Sequence, residues 1–248
     1  MERIRLGMLT PSSNTVLEPV TSGMLAGLPE VSAHFARFRV TRIALSEDAL
    51  AQFDVGPVLE AACLLADAHM DVIAWSGTSA GWLGFESDRL LCAAITEATG
   101  VPATTAVLGL NAAMARLGVR RLGLVTPYTG DVQARIVANY AAEGIEVVSE
   151  RHLEDPGNYS FARYEAEELA DLAREVAGGI GGKFEGVRPD AVMALCTNLR
   201  SSGLAEAMEA EMGVPFLDSI AATVWHSLVL AGVDPGRVEG WGGIFALA

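Results

Sequence analysis

Short apolar runs alternate along the chain with longer stretches in which apolar residues recur at helical spacing. Ile4–Leu9 reads as a first strand, followed by the polar loop Thr10-Pro-Ser-Ser-Asn and a helix over Thr15–Leu28. Ala33–Val40 alternates apolar and polar residues, the mark of an outer strand. A short helical piece around Glu47–Gln52, a helix over Val58–His69 and a strand at Val72–Trp75 follow. Ser87 is placed to cap a helix that stops at Gly100. Strand Ala103–Ala106 and helix Leu110–Leu117 complete a first half.

A second half repeats the plan. It runs through strand Leu122–Thr126, helix Asp131–Glu143, strand Ile145–Glu150, helix Tyr164–Val176 and strand Ala191–Leu195. Helix Leu204–Met212, short strand Phe216–Leu217 and helix Ala221–Ala231 follow. Gly178-Gly-Ile-Gly-Gly lies where a helix ends and reads as a cap and loop, not a phosphate cradle. The glycine-rich tail from Gly236, with Trp241 and Phe245, is expected to pack back on the first half.

Three internal matches support a duplication. Asp71-Val-Ile-Ala-Trp-Ser-Gly-Thr-Ser aligns with Asp190-Ala-Val-Met-Ala-Leu-Cys-Thr-Asn, an offset of 190 − 71 = 119. Leu6-Gly-Met-Leu-Thr-Pro recurs as Leu122-Gly-Leu-Val-Thr-Pro (122 − 6 = 116), and Gly100-Val-Pro as Gly213-Val-Pro (213 − 100 = 113). Pairs in the same order at nearly constant offset indicate related α/β halves. The expected fold is therefore α/β: two pseudosymmetric Rossmann-like parallel-sheet domains facing across a central cleft. The first comprises residues 1–112 plus 219–248, the second residues 113–218.

Composition narrows the class of function. With 248 residues, 51% of them hydrophobic, the chain is globular and long enough for a substantial core. A net charge of −14 argues against nucleic acid or an anionic membrane as partner, since both want a basic face. No apolar run is long enough for a membrane span, and Met1-Glu-Arg-Ile-Arg leads straight into a strand without a signal peptide, so a cytoplasmic protein is expected. The three cysteines are too few and too scattered for a disulfide framework. Cys63 and Cys92 fall within helical patterns and are expected to be buried structural thiols. The histidines are scattered and no metal motif, P-loop or G-x-G-x-x-G follows a strand, so neither a metal nor a nucleotide cofactor is expected.

Cys196 is different because it ends a buried strand. In parallel α/β sheets ligands bind outside the carboxyl ends of the strands. Four strand-end loops, Thr10–Asn14, Gly77–Ser79, Pro127–Gly130 and Cys196–Asn198, would converge on one interdomain cleft if the halves face each other. That cleft offers the Cys196 thiol, hydroxyls of Thr78, Ser79, Tyr128 and Thr197, and the amides of Asn14, Asn158 and Asn198. Such groups, with strand-end N–H groups, hold a carboxylate and the enediolate formed when it loses an α-substituent. A thiol with an ordinary pKa of about 8.5, lowered by helix N-terminal dipoles, hands a proton to a carbanion near neutral pH or acts as a nucleophile. Asn14 is equally placed to cap a helix, and Trp82 and Phe85 either line the pocket or pack in the core.

Thr10-Pro-Ser-Ser-Asn-Thr-Val-Leu-Glu-Pro, the paired turns and the Cys196 turn resemble the aspartate/glutamate racemase superfamily, nearest its branch of maleate cis–trans isomerases and arylmalonate decarboxylases. The resemblance covers nearly the whole chain and implies cofactor-independent chemistry between two pseudosymmetric domains. Racemases and maleate isomerases of this kind place a cysteine on each turn, whereas this chain has Cys196 on one and Gly77 on the other. Gly77-Thr78-Ser79 with Tyr128 resembles the decarboxylase pattern, a pocket for the carboxylate that stays, beside a single protonating cysteine. Asn14 and Asn158 fall where maleate isomerases carry substrate-binding asparagines. The expected activity is decarboxylation of a malonate-type or related small acid. The alternatives are cis–trans isomerisation or racemisation of a small dicarboxylate, and carboxylate binding without turnover. Homo-oligomerisation is compatible with the apolar composition.

Overall fold

The computed structural model describes residues 3–46, 52, 54–178 and 186–247. The first half contains β1 (Ile4–Pro11), α1 (Leu17–Met24), β2 (Val31–Phe38), α2 (Val55–Ala66) and β3 (Val72–Trp75). It continues with a four-residue α3 (Ala80–Leu83), α4 (Phe85–Thr99), β4 (Ala103–Thr105) and α5 (Ala106–Leu117). The second half contains β5 (Arg121–Thr126), α6 (Gly130–Ala142), β6 (Glu146–His152), α7 (Ala166–Val176) and β7 (Ala191–Ala194). It ends with α8 (Ala205–Met212), β8 (Phe216–Asp218) and α9 (Ser219–Leu230).

The two sheets have the same plan. One runs β2-β1-β3-β4 and the other β6-β5-β7-β8, with every pairing parallel. Central strands such as Val72–Trp75 and Ala191–Ala194 are buried along their whole length, as apolar strands covered by helices on both faces must be. The predicted outer strand is indeed an edge, β2. Gly100 and Gly213, the pair found in the sequence, both end helices in the left-handed region, at φ 73° and 72°. Helix α7 shows how charge and pattern agree: Leu169, Ala170, Ala173 and Val176 form its buried stripe. Glu167 and Glu168 stand in its first turn and Arg174 in its last, complementing the helix dipole.

Several expectations need correction. Ser87 does not cap α4; Gly84 occupies that place, and the Ser87 hydroxyl donates back to the Gly84 carbonyl at 2.6 Å. The unforeseen helix α3 pushes the start of α4 back into the Gly84 turn. Helix α1 is shorter than the pattern predicts, because the chain turns after Met24. Cys63 is exposed and Cys92 half-buried, since the apolar stripe of α2 runs through Val58, Ala61, Ala62 and Leu65 instead. The tail touches both halves. Trp241 lies over Gly23 of α1, while the Gly243 amide donates to Glu209 of α8 at 2.8 Å. Most of the helical piece expected at 47–52, and residues 179–182 of the glycine run, lie outside the described residues.

Candidate active site

The carboxyl ends of β1, β3, β5 and β7 meet between the halves. A small cavity there is walled by Gly77, Thr78 and Ser79 on one side and by Tyr128, Asn158, Cys196 and Thr197 on the other. Trp75, Trp82, Pro11, Val40 and Ile43 supply its apolar surface. The volume is ≈ 20 Å³, room for a water molecule and not for a dicarboxylic acid. The roof is a direct junction of the halves. Arg42 pairs with Gly157 in an antiparallel bridge, and the Ile43 amide donates to the Pro156 carbonyl at 3.0 Å.

Cys196 is 3% exposed at the end of β7. Its sulfur accepts the Asn198 amide N–H at 3.4 Å and is a hydrogen-bonding neighbour of the Tyr128 hydroxyl. Burial pushes the thiol up to about 12, against smaller lowering by those donors. This reverses the expectation that helix dipoles would depress it: α8 begins only at Ala205, and removal from water dominates so close to the core. The thiol is accordingly protonated across the neutral range. Tyr128 is also raised by burial, and its hydroxyl shares a 2.6 Å hydrogen bond with Thr78 Oγ1. Among the described residues walling the cavity there is no Lys, Arg, Asp or Glu.

The loops are held by a network that spans the halves. Asn14 Nδ2 donates to the Thr197 carbonyl at 3.0 Å and to Thr197 Oγ1 at 3.2 Å, while Thr197 Oγ1 donates to the Ser76 carbonyl at 2.9 Å. Asn14 Oδ1 also accepts the Val16 and Leu17 amides, so it caps the start of α1 although it precedes the helix by several residues. Asn198 Oδ1 accepts the Thr15 and Val16 amides, and its Nδ2 donates to the Asn158 carbonyl at 2.6 Å. Asn158 Nδ2 donates to Ser13 Oγ at 2.8 Å. Arg37 supports the same loop from outside through the Ser12 and Asn14 carbonyls.

Of the residues singled out in the sequence, Cys196, Gly77, Thr78, Ser79, Tyr128, Asn158 and Thr197 reach the cavity wall. Asn14 and Asn198 stand behind it and serve as staples between loops. Trp82 lines the cavity, whereas Phe85 packs against Tyr140 with ring centroids 5.0 Å apart. Sequence reasoning missed the part played by Trp75. Its indole lies against Gly77, packs on Phe38 at 4.9 Å between centroids and donates to Ser79 Oγ at 3.3 Å. The signal was available: residues two apart on a strand share a face, and Trp75 precedes Gly77 by two.

The arylmalonate decarboxylase family profile matches residues 14–245. The chain is 31% identical over 176 residues to the arylmalonate decarboxylase of Bordetella bronchiseptica, covering 70% of each chain. It is 28% identical over 242 residues to a maleate isomerase of Pseudomonas putida, covering 93% of each. Among solved structures it superposes with a TM-score of 0.86, at 25% identity and 98% coverage of both chains, on a cysteine-to-serine mutant of Nocardia farcinica maleate cis–trans isomerase carrying a covalently bound succinylcysteine intermediate. Arylmalonate decarboxylase itself superposes at 0.75 with 25% identity, over 98% of this chain and all of that one. With its relatives being decarboxylases and isomerases, this chain is an enzyme of one of those two kinds and belongs to the arylmalonate decarboxylase family.

Proposed function

We infer that the chain is a cofactor-independent decarboxylase of a malonate-type or related small carboxylic acid, in which Cys196 protonates an enediolate. The observation that carries this reading is a single buried thiol, kept protonated by its surroundings, opposite a turn that bears Gly77 in place of a second one. In this account the cavity widens as the acid enters, and one carboxylate is held by Thr78, Ser79 and Tyr128, a cluster of donors with no fixed positive charge among the described lining residues. The other carboxylate faces the apolar wall of Pro11, Val40 and Ile43, where loss of water raises the energy of a charged group and favours its departure as neutral CO2. The electron pair of the broken C–C bond passes into the remaining carboxylate as an enediolate, stabilised by the same donors. The Cys196 proton then moves to the α-carbon, and the thiolate, held meanwhile by the Asn198 N–H and Tyr128, takes a proton from water. A basic thiolate is reloaded readily near neutral pH.

The expected result is that Cys196→Ala slows CO2 release from substituted malonates by roughly 10²–10⁴-fold while an unreactive carboxylate still binds. Undiminished turnover in this variant would refute the role of the thiol. Isomerisation of a small dicarboxylate is the second reading, favoured by relatives named maleate isomerases that match across most of their length and by Asn158 at the cavity wall. Fumarate formed from maleate, without CO2 from any malonate, would establish that reading instead.

A further inference from the structure

The two halves differ in how they divide space at equivalent strand ends. Trp75 pairs with Leu9 and Thr105, as Ala194 pairs with Val125 and Asp218, so the two residues hold the same place in their sheets. Each stands two positions before the residue that faces the cleft, Gly77 in one half and Cys196 in the other. Side chains two apart on a strand share a face and compete for one volume. In the second half a small Ala194 leaves that volume to the Cys196 sulfur. In the first half the indole takes it: a Cβ at residue 77 would lie 2.0 Å from Trp75 Cζ2, 2.4 Å from Cε2 and 2.5 Å from Cη2.

The indole also borders two cavities. One is the space at Cys196, ≈ 20 Å³. The other is a cavity of ≈ 90 Å³, lined by the apolar Phe38, Val55, Val58, Leu83 and Leu91 and by the polar Ser87 and Asp88. Trp75 and Ser79 belong to both walls. The second cavity is mainly apolar and has no cation among its described lining residues, so it suits a hydrocarbon substituent and has little to offer a second carboxylate.

We propose that Trp75 is a specificity-determining residue: its indole fills the place of a residue-77 side chain, closes the Cys196 site off from the adjoining apolar cavity, and so limits the size of the α-substituent a carboxylic acid substrate can carry. The proposal rests on the carboxylate chemistry assigned above to the cleft. It is tested with Trp75→Phe and Trp75→Leu, each checked for folding by circular dichroism and thermal unfolding. Rates of CO2 release from methylmalonate and phenylmalonate give a ratio of kcat/KM for the large over the small substituent. That ratio is expected to rise about threefold in Trp75→Phe and at least tenfold in Trp75→Leu, in the order of volume removed. If Trp75→Leu fails to fold, the threefold change in Trp75→Phe decides. Ratios within 1.5-fold of wild type in folded, active variants would overturn the proposal.

Should wild type and variants release no CO2 from either acid, the decarboxylase reading fails, and calorimetric Kd values for the same two acids decide on the partition alone. A shift of binding preference toward phenylmalonate by the same factors sustains it. An unchanged preference, or no binding of either acid to any variant, overturns it.

Discussion

Gly77→Ala is the smallest perturbation that probes the packing of the two turns. The added methyl would meet Trp75 Cζ2 at 2.0 Å, where carbon atoms normally rest about 3.5–4.0 Å apart. The ring must therefore shift by about 1.5 Å. It is 2% exposed, packed on Phe38 and hydrogen-bonded to Ser79, so the shift breaks the Trp75–Ser79 bond and forces the ring toward the neighbouring cavity. Overpacking of this kind costs about 1–3 kcal/mol, and we expect Gly77→Ala near the upper end, lowering Tm by roughly 5–10 °C for a chain of this size. Trp75→Leu alone removes buried ring atoms and costs about 2–4 kcal/mol. In the double variant the methyl occupies space the indole has left, so the combined loss should fall short of the sum by about 2 kcal/mol. Urea unfolding of wild type, both single variants and the double variant measures that coupling. Additivity within about 0.5 kcal/mol would refute the idea that Trp75 and residue 77 compete for one volume.

Three further outcomes follow from the same structure. Iodoacetamide at neutral pH should modify exposed Cys63 readily and Cys196 hardly at all, with Cys196 alkylation rising only above about pH 10, because burial holds its thiol up to about 12; equal rates by mass spectrometry would contradict this. Asp88 is buried, accepts a short hydrogen bond from Thr105 and is raised from 3.8 to about 7 by desolvation. A carboxyl whose folded pKa lies above its unfolded one stabilises the fold below the unfolded value and loses that contribution as pH rises to the folded value. Wild type should therefore lose up to about 4 kcal/mol between pH 4 and 7 relative to Asp88→Asn, and parallel stability–pH curves would exclude it. Asn198→Ala removes the acceptor of the Thr15 and Val16 amides and the donor to the Asn158 carbonyl, so it should cost about 2–4 kcal/mol in urea unfolding; a loss below about 0.5 kcal/mol would show that the staple is not needed.

Much of the architecture follows from the chain alone. Apolar strand segments, helical spacing and glycine stops placed the eight strands of the described residues and the principal helices close to their observed bounds, with β3 at Val72–Trp75 unchanged. The near-constant offset between Asp71 and Asp190, Leu6 and Leu122, and Gly100 and Gly213 corresponds to two sheets of identical strand order. The loops that form the cavity were legible for the same reason: a duplicated parallel sheet brings its strand ends to one side, whatever the side chains.

What the pattern of residues does not contain is the direction of a side chain between distant segments. Asn198 meets Thr15 across 183 positions and Asn158 across 40, and those meetings turn a candidate ligand group into a staple. The pKa of Cys196 depends on how tightly the halves close over it, a property of the assembled volume and not of any local spacing. Periodicity tells which face of a strand is buried; only packing tells which of two residues on that face, Trp75 or its neighbour at 77, receives the space.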